Sequence, residues 1–533
     1  MPHRYPIIYI RGYAMSVGER NDTAADPFCG FNVGSTLYRA ASKKTERPEK
    51  FVFESPLVRL TTEFQYQHVY QNGLDIMDEA WTPPTDEQGV PIPGIPSCSI
   101  VIFRYYDDGS DVLGDGKSRN IKEYALGLND LILKIKTRVL EYRPPQGQRM
   151  KAEDFRCYLV AHSMGGLVAR AFLQDVSGRY SEAKATVDKL FTFATPHNGI
   201  DVLGFNVPEW LTKDQANTFN RDEMRRYLNL TAISPEFNDR VDLIPSSAMD
   251  PNKIFCMVGT NRGDYEVAQG AVRAFVGHGS DGLVRIENAS LWGVDKKLAP
   301  IQVATAYTYR AHSGYFGIVN SEEAYQNLVR FLFGDVRVDI HLEVESISLP
   351  MSVETAVEQG KKLEAGYQFE FRAAPKGKRW FLTRRQSVED SPACRSHADL
   401  TSNDLSRRVV YLSTVFLSKR GKVDADRALT YVMTFAAKVP DYVVDRRFLP
   451  NVHYEGTDLF RGTAIVRLTP PAQSAPQAAW NVSLGWIEQP NDVISQDLLF
   501  TANNPCVEVS LPFNQIRKPG IKGQLRLKVQ PWE

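Results

Sequence analysis

The residues of this 533-residue chain best suited to chemistry lie in Tyr158-Leu159-Val160-Ala161-His162-Ser163-Met164-Gly165-Gly166-Leu167-Val168-Ala169-Arg170. An apolar strand pattern ends at a serine, small residues follow, and a helical pattern starts at once. That is the context a nucleophile elbow needs. Ala161 and Gly165 leave room for the tight turn, and the helix start aims its positive end at developing negative charge. A serine hydroxyl is a weak nucleophile near neutral pH and needs an adjacent base, itself oriented by an acid. The chemistry implied is nucleophilic acyl transfer through Ser163.

Of the nine histidines, His312 is the best-placed base. It follows the strand-like run 303–309 and precedes a helical pattern. His341 falls inside a later strand pattern, His278 just precedes the acid candidate, and His3 and His68 lie before the serine. His162 adjoins Ser163 but is read as pointing elsewhere on the elbow. The acid candidate is Asp281, in Gly279-Ser280-Asp281-Gly282-Leu283-Val284. Glycines give it a flexible approach and an apolar pair anchors it, which suits a carboxylate that must hold an imidazole in place. Asp264 is the rival, because it follows the strand pattern 254–258 more closely. Asp242 and Asp250 precede that strand.

The elements that must position these groups are alternating strands and helices. Apolar runs at 7–10, 99–103, 158–161, 190–194 and 254–258 read as buried strands. Helical patterns occupy 121–140, 167–173 and 324–333. Strands buried on both faces and separated by helices predict an α/β fold, a mostly parallel sheet with helices on both sides, over residues 1–335. Two insertions, near 14–97 and 201–251, interrupt the alternation, and insertions of this size commonly cap or line a site. Within the second, 201–238 is expected to form a mobile lid. Trp210, Leu211, Phe219, Met224, Tyr227 and Leu228 make its apolar stripe, with Arg221, Asp222, Arg225 and Arg226 on the other side. Residues 336–533 change texture to about eight short strand patterns with turn residues between them, a β-rich accessory domain of sandwich or jelly-roll type.

Composition narrows the setting. Hydrophobic residues make up 43% and charged residues 24%, ordinary for a globular protein. The 63 basic and 63 acidic residues cancel, so no whole-chain field draws the protein to nucleic acid. The six cysteines are scattered with no C-x-x-C pair, which argues against a zinc ribbon or a disulfide-dense scaffold. No stretch approaches the roughly 20 apolar residues of a membrane span, and the first residues lack a signal-peptide pattern. The expectation is a soluble, cytoplasmic protein, with a specialised secretion route as the exception.

Taken as a set, Ala161-His162-Ser163-Met164-Gly165-Gly166, Thr195-Pro196-His197-Asn198-Gly199, Ser280-Asp281-Gly282-Leu283-Val284 and His312 resemble the motif series of bacterial triacylglycerol lipases. They are similar also to the phospholipid–sterol acyltransferase group. The stretch Leu230-Thr231 and then Phe237-Asn238 resembles the segment that follows the lid in those lipases. The resemblance covers about the first 335 residues and implies the α/β-hydrolase fold, in which the triad runs Ser, acid, His along the chain. It also implies a carboxylic ester hydrolase (lipase, phospholipase or esterase) of lipid-like substrates, with peripheral contact to membrane or micelle and no cofactor. By the same resemblance, the amides of Tyr13 and Met164 form the oxyanion hole. Two positions depart from the pattern. Ala161 replaces the first elbow glycine, and Arg11-Gly12 stands where the group carries His-Gly. Backbone donors do not depend on side-chain identity, and Arg11 is read as a structural ion pair rather than a phosphate contact. The alternatives are a lipid acyltransferase of the same fold and an inactive hydrolase-fold binding protein.

Overall fold

The computed structural model describes residues 4–12, 35–39, 49–53, 55–71, 74–86, 88–105, 119–144, 148–202, 205–206, 216–264, 279–314, 317–421, 428–446, 449–471, 479–501, 505–515 and 517–533. The chain packs as two compact units, Met1–Val303 with Arg310–Tyr325, and Ala304–Tyr309 with Gln326–Glu533. The division falls inside the helix Glu322–Phe333 rather than after Asp335. The helix's later residues are tied to the second unit. Asn327 donates to Leu382 O at 2.9 Å, and Trp532 Nε1 donates to Phe331 O at 2.6 Å. Ala304–Tyr309 joins the same unit because Ser413 Oγ donates to Thr305 O and Tyr411 Oη accepts from Thr305 N.

The first unit is built on six strands: β1 (Ile7–Ile10), β2 (Gln67–His68), β3 (Ser99–Phe103), β4 (Cys157–His162), β5 (Val187–Phe193) and β6 (Ile254–Gly259). They lie in the order β6-β5-β4-β1-β3-β2, and every neighbouring pair is parallel. β1, β3, β4 and β6 are buried along their whole length, which is why they read as unbroken apolar runs rather than alternating ones. Helix α1 (Ile121–Glu141) starts at a capping box, in which Asn120 accepts from the Lys122 and Glu123 amides and Glu123 reaches back to the Asn120 amide. Its stripe of Tyr124, Leu128, Leu131, Ile135 and Val139 is buried in the same apolar core as α2 (Met164–Leu173).

The two insertions do more for the core than the sequence suggests. Residues 55–97 supply the edge strand β2 and bury Val69, Ile76, Trp81 and Ile95 in the main core. Helix α3 (Arg221–Tyr227) buries Met224 and Tyr227, with Phe219, Leu228 and Leu230 beside them in that core. Gln174 donates to Leu228 O, and Tyr227 Oη donates to Thr218 O. Over 216–238 of the expected lid, the apolar face is packed into this core. Trp210 and Leu211 lie outside the described residues.

Residues 336–533 form two antiparallel sheets. One sheet runs Val409–Leu417, Val336–Ser348, Gly520–Pro531, Val507–Asn514. The other runs Thr383–Arg385, Leu363–Pro375, Leu429–Arg446, Leu449–Thr469, Trp480–Trp486, Ile494–Leu498, with Ala393–Ser396 also paired to Leu363–Pro375. Alternate residues of both sheets, such as Val338 and Ile340 with Phe369, Phe371 and Phe435, share one core. Phe435 of one sheet meets Phe513 of the other, ring centroids 5.2 Å apart. Among the described residues, no helix is long and apolar enough to cross a membrane.

Candidate active site

Ser163 sits between β4 and α2 with φ 51° and ψ −127°, a left-handed backbone that costs a non-glycine residue roughly 1–3 kcal/mol. The surroundings enforce it. Ser163 N donates to Phe193 O at 2.9 Å, and Gly166 N donates to Ser163 O at 3.0 Å. Three glycines permit the approach. A Cβ on Gly12 would lie 2.4 Å from Ser163 Cβ, one on Gly165 would lie 2.3 Å from Ile10 O, and one on Gly166 would lie 2.2 Å from Thr195 Oγ1. The Arg11-Gly12 loop is anchored through its main chain, since Tyr105 Oη donates to Arg11 O at 2.5 Å.

Asp281 is buried on a loop that closes on itself, with its amide donating to Val284 O at 3.1 Å. Gly282 takes φ 103°, a conformation that favours glycine. One carboxylate oxygen, Oδ1, accepts from the Leu283 and Val284 amides at 3.0 and 2.7 Å. The other, Oδ2, lies 2.8 Å from His312 Nδ1, and the His312 amide donates to Asp281 O at 3.0 Å. The far ring nitrogen, His312 Nε2, lies 2.9 Å from Ser163 Oγ. The carboxylate only accepts, so His312 carries its proton on Nδ1, which leaves Nε2 to accept from the serine hydroxyl. Asp264 is engaged differently, accepting from Asn261 Nδ2 at 2.5 Å.

Ser163, Asp281 and His312 are thus brought together. Met164, buried, begins α2 immediately after the serine, so its amide is at the helix's positive end. Tyr13 lies outside the described residues. Sequence reasoning missed three contributors. Gly259 ends β6, where a Cβ would stand 2.9 Å from Asp281 Cβ, so the acid loop needs a glycine there. Arg170 is fully buried and donates to the carbonyls of His197, Val241 and Leu243 at 2.9, 2.7 and 2.8 Å. It ties the 195–199 motif to the elbow helix. Burial pulls its guanidinium down to about 10. His162 does not point away: its Nε2 lies 2.9 Å from His312 O. None of the three carries a signal of its role in the sequence, because each acts on a segment distant in the chain. Among the described residues, no group of three or more His, Cys, Asp or Glu side chains is arranged to hold a metal ion.

A parallel sheet whose inner strand ends in a strained serine, with acid and histidine on later loops, is the architecture of the α/β-hydrolase superfamily, lipase-like in its motifs. A family model described as the PGAP1-like alpha/beta domain matches residues 116–233, which span α1, β4, the elbow and α2. No curated protein matches the chain. Among solved structures, the lipase BlEst2 of Bacillus licheniformis in mature form is similar over 62% of this chain and 93% of its own, at 14% identity and TM-score 0.31. Phospholipase PlaB of Legionella pneumophila is similar over 85% of this chain and 91% of its own, at 12% identity and TM-score 0.31.

Proposed function

We propose that the chain is a carboxylic ester hydrolase of lipid-like substrates, working through Ser163, His312 and Asp281. The observation that carries this reading is the unbroken line from Asp281 Oδ2 through the His312 ring to Ser163 Oγ, at 2.8 and 2.9 Å. Ser163 Oγ attacks the ester carbonyl while His312 Nε2 takes its proton, and Asp281 stabilises the imidazolium. The Met164 amide, with that of Tyr13 by the lipase resemblance, holds the oxyanion. His312 then protonates the departing alcohol, and water hydrolyses the acyl-enzyme. The four motifs shared with bacterial lipases support lipid-like esters as the substrate class.

The test is labelling by a fluorophosphonate, which requires an activated serine. The wild-type chain is expected to label and Ser163→Ala to remain unlabelled, with a matching loss of ester turnover by several orders of magnitude. A series of esters of rising acyl length then reads the substrate class, long chains being preferred over acetate. An unlabelled wild type would overturn the reading. Faster product formation with an added alcohol, giving a new ester, would turn it towards acyl transfer.

A further inference from the structure

The catalytic reading assigns nothing to His162, yet this buried imidazole is built into the site. Its ring centroid lies 5.0 Å from that of His312, and its Nε2 lies 2.9 Å from His312 O. A carbonyl oxygen only accepts, so Nε2 carries the proton and Nδ1 is bare. Nδ1 faces the opposite loop, 3.0 Å from where a Cβ on Gly12 would stand. One ring therefore fills the space between the loop after β1 and the loop of His312.

The main chain of His312 is held at both ends. Asp281 O accepts from its amide, and His162 donates to its carbonyl. With the peptide fixed on either side and Nδ1 bound to Asp281 Oδ2, little freedom remains to swing Nε2 off the Ser163 hydroxyl. We propose that His162 is a positioning residue for acyl transfer, a neutral donor that fixes the His312 carbonyl and so aims the base at Ser163. This rests on the triad reading above.

Neutrality is part of the role. A charged His162 beside His312 would oppose the imidazolium that forms when Ser163 gives up its proton. Among the described residues, the charged and titratable neighbours that act on it are His312 and Arg11, with Asp281 beyond His312. Burial first, then His312 and Arg11, hold His162 well below the ordinary histidine range, so it stays neutral near neutral pH.

The experiment uses the full chain, a soluble short-chain ester and the fluorophosphonate. His162→Phe keeps a ring and loses the donor, whereas His162→Gln places an amide N–H near the old Nε2. His162→Phe is expected to lower kcat and the labelling rate about tenfold, the loss that follows from one misplaced hydrogen bond, with KM unchanged. His162→Gln should restore most of it. The acid limb of the labelling rate should follow a single ionisation in wild type and in His162→Gln alike. Should His162→Phe fail to fold, His162→Asn replaces it, since its shorter amide cannot reach His312 O. Its rate should fall about tenfold below that of His162→Gln. Both variants within twofold of wild type would overturn the proposal. So would equal losses in both that track lowered thermal stability, or a two-proton acid limb in wild type that becomes single in His162→Gln. Failure of the triad itself reads separately, as an unlabelled wild type, and the proposal falls with it.

Discussion

At Asp281 and Asp264 one functional group meets two surroundings. The Asp281 carboxylate accepts two main-chain N–H bonds and faces a histidine ring, whereas Asp264 accepts from Asn261. An amide at 281 would turn an N–H2 toward a ring nitrogen that must itself donate, and the imidazole would settle in the wrong tautomer. Asp281→Asn should therefore cost up to about 10⁴-fold in kcat on a soluble ester, and Asp264→Asn less than about threefold. Circular dichroism should show both variants folded, and the reverse pattern would reassign the acid. Residues differ in how far sequence exposes them. Ser163 is legible because strand, turn and helix are contiguous. His312 and Asp281 are legible as motifs in the right chain order. Gly12, Gly259 and His162 are not, because each acts on a segment far away in the chain.

Elements were legible where burial leaves a pattern. The strands β1, β3, β4 and β6 are apolar along their length and read directly from the sequence. The long hairpin of the second unit, 18 and 21 residues in its two strands, was visible only at its far ends. A register shift at Ala437/Lys438 breaks the alternation there, and Pro440 looks like a strand end. The strand continues because Gly456 lies opposite, where a Cβ would stand 1.8 Å from Val439 O. Helix α3 shows the converse: its period was correct, but period does not say what the apolar face covers. Since Met224 is fully buried, Met224→Ala should destabilise by about 2–5 kcal/mol. It should leave the ratio of rates on aggregated and monomeric ester unchanged, where a lid residue would alter that ratio. The elbow offers a second test at this scale. Gly166→Ala drives a methyl into Thr195 and should cost about 1–3 kcal/mol. Among the described residues Thr195 Oγ1 is a buried hydroxyl without a hydrogen-bond partner, so Thr195→Ala should cost little alone. Combined with Gly166→Ala it should recover part of the loss. Additive losses in denaturant unfolding would show that the cost of Gly166→Ala does not come from contact with Thr195.

For the whole molecule, near-zero net charge at pH 7 means that self-repulsion contributes little there, and buried titratable groups govern how stability changes with acid. His197, fully buried, is held well below the ordinary histidine value of 6.5 by burial and then by Arg170. His162 is depressed likewise, and burial brings His341 in the second unit down to about 4. As pH falls through 6.5 the unfolded chain takes up these protons while the folded chain does not, so stability falls with pH. Each fully buried neutral histidine removes up to about 1.4 kcal/mol per pH unit in that window. The loss ends only where the folded group itself protonates. Carboxylates act lower down. Burial raises Glu370, but Lys438 and the Ser387 amide outweigh it and hold the group below 4.5. Its stabilising effect is thus complete above 4.5 and lost beneath it. Mutation separates the two contributions. His197 Nε2 lies 3.1 Å from Thr192 Oγ1, a contact that a glutamine amide can replace without a titrating proton. His197→Gln should lower Tm at pH 8, where the imidazole packs best, yet lose less Tm than wild type between pH 8 and pH 5. Below pH 4.5 the carboxylate losses are common to both chains, and the curves should go on converging for as long as the folded His197 stays unprotonated. Curves parallel across the whole range would mean that His197 is protonated in the folded chain, and the buried-histidine account of acid sensitivity would fail.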